Sequence, residues 1–172
     1  RDVERIMRGC PQHKQTLFFS ATLAREIKDL ARRYMKSPVE VSAPTHVDPS
    51  KMKQVYYDVP HKMKLDMLLH LLEQERTGLV LVFCNTRRTT NIVARTLRDF
   101  GVDAVPIHGG LSQNKRTKTL DMFHHAQATV LVCTDVAGRG LHIKNVSHVY
   151  NYEIPKDAKD YVHRIGRTAR AG

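Results

Sequence analysis

No apolar run in this chain approaches the roughly 20 consecutive residues that span a bilayer, which excludes a transmembrane helix. The first residues lack the apolar block and small-residue cleavage site of a secretory leader. Cysteine is scarce: there are three in 172 residues, an odd number set mostly within apolar runs. A disulfide scaffold is therefore excluded, and a reducing, cytoplasmic setting is expected. The chain also lacks internal repeats and low-complexity tracts. Acidic residues are in deficit, 17 Asp and Glu against 28 Lys and Arg, a formal net charge of +11. Such a field attracts polyanions, nucleic acid first among them, although the same charge could serve solubility alone. What remains is ordinary: 41% hydrophobic and 26% charged residues, enough to fill the core of one full domain.

Short runs of Val, Leu and Ile alternate with amphipathic stretches, the pattern of a parallel α/β sheet flanked by helices on both faces. LVLVFCN (79–85), DAVPIH (103–108), ATVLVCTD (128–135) and VSHVYNY (146–152) read as strands. The first and third are apolar on consecutive residues, so they belong at the sheet centre, with Cys84 and Cys133 as small buried hydrophobes. Helices are expected around Leu65, Leu68, Leu69 and Leu72, around Ile92, Val93, Leu97 and Phe100, and around Leu120 and Phe123. The loops after the strands then share one sheet edge, where open α/β folds bind ligands.

Residues 1–44 read differently: one strand QTLFFSAT (15–22), a helix with Ile27, Leu30, Ala31 and Tyr34 on one face, and an extended PVEV (38–41). SAPTHVDPS (42–50) reads as a linker, so 1–44 is expected to be the tail of another domain and 45–172 a domain of its own. The apolar strand edge in LFFSA could pair with a second copy or with another sheet edge, so a homodimer contact or disorder is expected there.

Three motifs sit at the expected sheet edge, in the loops 85–88, 108–112 and 134–140, and a fourth lies near the end of the sequence. FCNTRR offers the Thr86 hydroxyl and the Arg87 guanidinium where a helix begins, a phosphate site or simply a cap with solvated arginines. In HGGLSQNKR, Gly109 and Gly110 permit a close backbone approach or a plain tight turn. Ser112 can cap a helix on which Gln113 and Arg116 lie three apart. TDVAGRGLHI brings out Thr134 and Asp135, then Gly138 and Gly140 around Arg139, with Asp135 equally suited to an internal salt bridge. In HRIGRTAR, helical spacing puts Arg164, Arg167 and Arg170 on one side, a cluster that asks for a concentrated anion such as a triphosphate.

Taken in order, with SAT at Ser20 to Thr22 ahead of them, these motifs resemble the second RecA-like lobe of a DEAD-box RNA helicase, preceded by the tail of the first lobe. The resemblance implies an ATP-dependent RNA helicase using ATP with Mg²⁺. Arg167 and Arg170 would be arginine fingers, with His163 and Arg164 in the network joining ATP to RNA and to the first lobe. Gly140 and His142 would join those fingers around the nucleotide. Thr86, Arg87, Gly110, Gln113, Arg116 and Thr134 would hold RNA phosphates and riboses without reading sequence. Asp135 and Arg139 would brace the lobe interface, and Ser20 and Thr22 would couple ATP binding to strand separation.

Two departures stand out. His142 replaces the Asp that the family uses to accept hydrogen bonds from the ATP ribose, and a neutral imidazole accepts only one, so altered nucleotide contact is expected. GxxxxGK[ST], an Asp-Glu-Ala-Asp box and an adenine-reading segment are also absent. The chain is therefore expected to be a piece of a longer helicase, without ATPase activity by itself.

Overall fold

A computed structural model describes residues 2–19, 25–41, 52–74, 78–138 and 146–168. The chain divides into two compact units, Arg1–Thr45 and His46–Gly172.

In the first unit, α1 (Asp2–Gly9) and α2 (Arg25–Tyr34) are tied by an ion pair from Arg33 to Glu4 at 2.8 Å. The helix expected around Ile27 to Tyr34 is present, and α1 was not anticipated. The strand expected over 15–22 is not found: residues 15–19 are irregular, Leu17 and Phe19 are exposed, and 20–22 lie outside the described residues. A strand needs a neighbour for its ladder of N–H and C=O groups, and none pairs with this segment among the described residues. PVEV is likewise irregular with Val39 and Val41 exposed, and the expected linker over 42–50 lies outside the described residues.

The second unit holds α3 (Lys64–Gln74), β1 (Leu79–Cys84), α4 (Arg87–Asp99), β2 (Ala104–Ile107), α5 (Gln113–His124), β3 (Val130–Thr134), α6 (Asp135–Gly138), β4 (Val146–Asn151) and α7 (Ala158–Ile165). A 3₁₀ turn over His61–Met63 leads into α3. The four strands form one all-parallel sheet in the order β2-β3-β1-β4, so the two uninterrupted apolar runs do sit in the middle. Alternation along β1 sends Val80, Val82 and Cys84 to a core with α3 and α4 (Leu68, Leu72, Val93, Leu97). Leu81 and Phe83 face the opposite core with α5 and α6 (Phe123, Ala137). Helices thus cover both faces, as the sequence predicts.

The inward stripe of α4 is Thr90, Val93, Ala94 and Leu97, at i, i+3, i+4 and i+7. Ile92 and Phe100, expected on that stripe, are instead exposed. Thr90 is admitted to the core because its hydroxyl donates to the Thr86 carbonyl at 2.8 Å, so no polar group is left unpaired. The helix closes on Gly101, whose φ of +77° is the left-handed conformation that favours glycine. Cys84 and Cys133 are fully buried free thiols. Burial pushes the Cys84 thiol up to about 12, with the Glu153 carboxylate adding to the shift.

Candidate functional site

Because all four strands are parallel and in register, their carboxyl ends come out together: Cys84 beside Thr134, Ile107 beside Cys133, and Phe83 beside Asn151. Every strand-end motif singled out in the sequence therefore opens on one edge.

Thr86 has extended backbone and caps α4, its Oγ1 accepting the Thr89 N–H at 3.0 Å. That capping role was one of its two readings, and it orients Arg87, the first residue of the helix. Arg87 is exposed and lies over the Gly109–Gly110 turn, so that a Cβ on Gly110 would sit 3.3 Å from the Arg87 Cδ. The same Cβ would sit 3.1 Å from His108 Nδ1, a tight approach that glycine avoids. Ser112 caps α5 through a long contact of 3.5 Å with the Lys115 N–H, placing Gln113 in the first turn, exposed. Arg116, one turn on, is half-buried, and its Nε has neither a hydrogen-bond partner nor access to solvent. Thr134 ends β3, buried.

His108 was not singled out in the sequence beyond its place in the motif. Its imidazole is 5% exposed; Nδ1 accepts the Gly110 N–H at 3.1 Å, so the proton sits on Nε2, which donates to Asn91 Oδ1 at 3.1 Å. Burial first, and the Arg87 guanidinium second, hold its pKa below the usual histidine range. The folded state thus disfavours the protonated ring, and the unfolded chain takes up the proton first as pH falls below about 6.5. The stability this provides is complete above that pH and is lost as pH falls toward the folded-state pKa. The thermal midpoint of wild type is expected to fall more steeply between pH 7.5 and pH 5 than that of His108→Gln. Parallel pH profiles would show that the ring is not held neutral.

The arginine motif departs from its sequence reading. Helix α7 stops at Ile165 and is capped at Gly166. Arg167 follows in a tight turn, its N–H donating to the Arg164 carbonyl at 3.2 Å. Gly166 and the small residues around it end the helix rather than continue it. Arg164, expected to face an outside anion with its neighbours, is 1% exposed and faces the protein. Its Nε and Nη2 clamp both carboxylate oxygens of Asp135 at 2.6 and 2.7 Å. Nη2 also donates to Asn85 Oδ1 at 3.0 Å, and Nη1 donates to Asn151 Oδ1 at 3.1 Å and the Glu153 carbonyl at 2.6 Å. The Phe83 ring lies 5.1 Å beneath its guanidinium. The negative charge that answers Arg164 is internal, which realises the salt-bridge alternative for Asp135. His163 is half-buried and its Nδ1 is enclosed without a partner. Arg167 is half-buried, and its charge acts at the end of β3, where it opposes the upward shift of the Cys133 thiol caused mainly by burial.

Ser20, Thr22, Arg139, Gly140, His142 and Arg170 lie outside the described residues. Sequence reasoning marked Asn85 only as the start of a strand-end loop and missed Asn91, Asn151 and Glu153, because single polar residues carry no periodic signal. Position just after an apolar run could have marked Asn151 and Glu153; nothing marked Asn91, which lies within α4.

The geometry defines a parallel α/β lobe that collects basic and hydroxyl side chains at the carboxyl edge of its sheet. Residues 63–172 match the family model described as the helicase conserved C-terminal domain. The DEAD-box ATP-dependent RNA helicase CshA of Geobacillus kaustophilus is 44% identical, over 99% of this chain and 37% of that protein. The ATP-dependent RNA helicase DDX47 of Drosophila melanogaster is 39% identical, over 99% of this chain and 34% of that protein. The solved structure of S. cerevisiae Dbp5 bound to RNA and ADP BeF3 superimposes with a TM-score of 0.82 at 32% identity, covering 96% of this chain and 44% of that one. The chain belongs to the helicase conserved C-terminal domain family, with a RecA-like parallel fold, and is similar to DEAD-box proteins over nearly its whole length. It spans roughly a third of the length of the curated relatives it matches.

Proposed function

We propose that residues 45–172 are the C-terminal lobe of an ATP-dependent RNA helicase and residues 1–44 the tail of the preceding lobe. Thr86, Arg87, Gly110, Gln113, Arg116 and Thr134 hold the RNA backbone, which makes binding blind to sequence. Arg167 and Arg170 reach the γ-phosphate across the interlobe cleft, His163 and Arg164 link that site to the RNA edge, and Gly140 and His142 meet the nucleotide. Asp135, Arg139, Ser20 and Thr22 couple the lobes. ATP, when bound, supplies the phosphoryl-transfer energy that drives the cycle.

The carboxyl edge carries this reading. It brings Arg87, a glycine turn tight at Gly110, and the half-buried Arg116 to one side of the sheet, chemistry that suits phosphate. These basic groups suit the phosphates of ATP and RNA rather than a cation, and the Mg²⁺ that accompanies ATP is assigned mainly to the preceding lobe. A cytoplasmic protein is proposed, in keeping with the reduced cysteines. Self-association through residues 1–44 is also proposed, on the exposed Leu17, Phe19, Val39 and Val41.

ATP turnover by the full-length protein tests the reading. RNA is expected to stimulate it many-fold, DNA of equal length little, and the 172-residue chain alone to show none. Equal stimulation by DNA would change the substrate class, and turnover by the isolated chain would overturn the two-lobe scheme.

A further inference from the structure

We infer that Glu153 is a positioning residue for the RNA edge, acting through the turn that carries Thr86 and Arg87. The inference rests on the proposed role of that edge. Glu153 follows β4, the neighbour of β1 in the sheet, and its own N–H donates to the Phe83 carbonyl at 3.2 Å, continuing the ladder one step past the strands. From there its side chain reaches across to the start of α4. Its Oε2 accepts the Asn85 backbone N–H at 2.6 Å, and its Oε1 accepts the Thr89 hydroxyl at 3.5 Å. The first contact is the short, charge-assisted kind, and the second is weak. A carboxylate beside the first turn of a helix also meets the positive end of the helix dipole.

The surroundings show what this contact controls. Asn85 is exposed, yet its N–H and both side-chain polar atoms are engaged by the protein. Its N–H goes to the Glu153 carboxylate, its Nδ2 to the Ile154 carbonyl at 2.9 Å, and its Oδ1 receives Arg164 Nη2 at 3.0 Å. Asn85 is therefore an anchor rather than a ligand, and the two residues after it face outward. Thr89, the second target, shares a 2.9 Å contact with the Thr86 hydroxyl and donates its N–H to it. Glu153 thus grips the turn at both ends, the residue before Thr86 and the residue that Thr86 caps.

The two halves of Glu153 face different partners. Its backbone carbonyl accepts from Arg164, while its carboxylate accepts from Asn85 and, weakly, from Thr89 at the start of α4. A side-chain substitution therefore loosens the RNA-facing turn and leaves the Arg164 hydrogen bond to the carbonyl in place. Phosphate binding depends on how Arg87 is presented, and a turn held by one fewer charged acceptor presents it less well.

The test uses the full-length protein with poly(U) RNA, measuring ATP turnover against RNA concentration, ATP KM and thermal midpoint for wild type, Glu153→Gln, Glu153→Ala and Arg87→Ala. Glu153→Gln preserves size and removes the charge, so it remains informative if Glu153→Ala folds poorly. The expected result is a rise of about tenfold in RNA half-saturation for Glu153→Gln, equivalent to ~1.4 kcal/mol. That rise should exceed any loss of kcat, with ATP KM held. Tighter RNA binding would mean that the carboxylate competes with phosphate and would overturn the inference, as would a lower kcat, a higher ATP KM and a lower midpoint appearing together. If Arg87→Ala weakens RNA while both Glu153 variants are silent, only the role of Glu153 fails. If Arg87→Ala is silent as well, the RNA edge itself is misassigned and this role goes with it.

Discussion

Replacing Arg164 by alanine is expected to lower the stability of the lobe by about 3–5 kcal/mol, the range seen when one member of a buried ion pair is removed. The change removes all the hydrogen bonds from Nε, Nη1 and Nη2 and the contact with Phe83, and it leaves the Asp135 carboxylate, Asn85 Oδ1 and Asn151 Oδ1 facing a hole. For a domain of this size the thermal midpoint should fall on the order of 10 °C. Two controls separate causes. Arg164→Lys keeps the charge but cannot bridge both Asp135 oxygens and the other acceptors at once, so it should recover little. Pairing Arg164→Met with Asp135→Asn removes both charges, and should cost less than the sum of the singles because neither is stranded. A loss below about 1 kcal/mol for Arg164→Ala would place the residue in the class of exposed ion pairs instead.

Arg167→Ala in the full-length protein is expected to reduce RNA-stimulated ATP turnover by about a thousandfold or more, the scale on which arginine fingers act in phosphoryl transfer. RNA half-saturation should change by only a few-fold, since the residue is assigned to the nucleotide. Arg167→Lys should restore little, because a point charge does not reproduce the planar fork that meets two phosphate oxygens. The structure separates this residue from Arg164 in a way the spacing did not: Arg164 is enclosed and satisfied, whereas Arg167 sits past the helix end, half-buried. The two alanine variants should therefore fail differently, one by unfolding and the other while folded. Retention of more than about a tenth of wild-type turnover by folded Arg167→Ala would remove it from the chemistry.

Much of this architecture could be read from residue order. The consecutive apolar residues of LVLVF and VLVC placed β1 and β3 at the centre because a strand covered on both faces cannot alternate. The leucine spacing in α3 fixed its inward face, while in α4 the prediction failed at Ile92 and Phe100, where Thr90 and Ala94 took the inward positions. Hydrophobicity alone does not favour a threonine over an isoleucine. The choice follows from where the helix starts, which the Thr86 cap decides. The strand expected over 15–22 is absent from its described part, 15–19, because apolar β-formers do not make a strand without a partner. At the site, charge and spacing identified the arginines and offered Asp135 for an internal salt bridge, but did not say which arginine it pairs with or name the other partners. Asp135, Asn85, Asn151 and Glu153 are scattered through the sequence and meet only because three parallel strands end level. Three equally spaced arginines look alike in one dimension; the fold assigns at least one to the interior.

Arg164 joins residues that follow β1, β3 and β4 to a single planar group on α7. With so many bonds meeting on one side chain, none of those loop tips can shift alone without stretching contacts to the rest. The edge should respond as a block, so that a tug on α7 reaches the turn after β1 with no intervening slack.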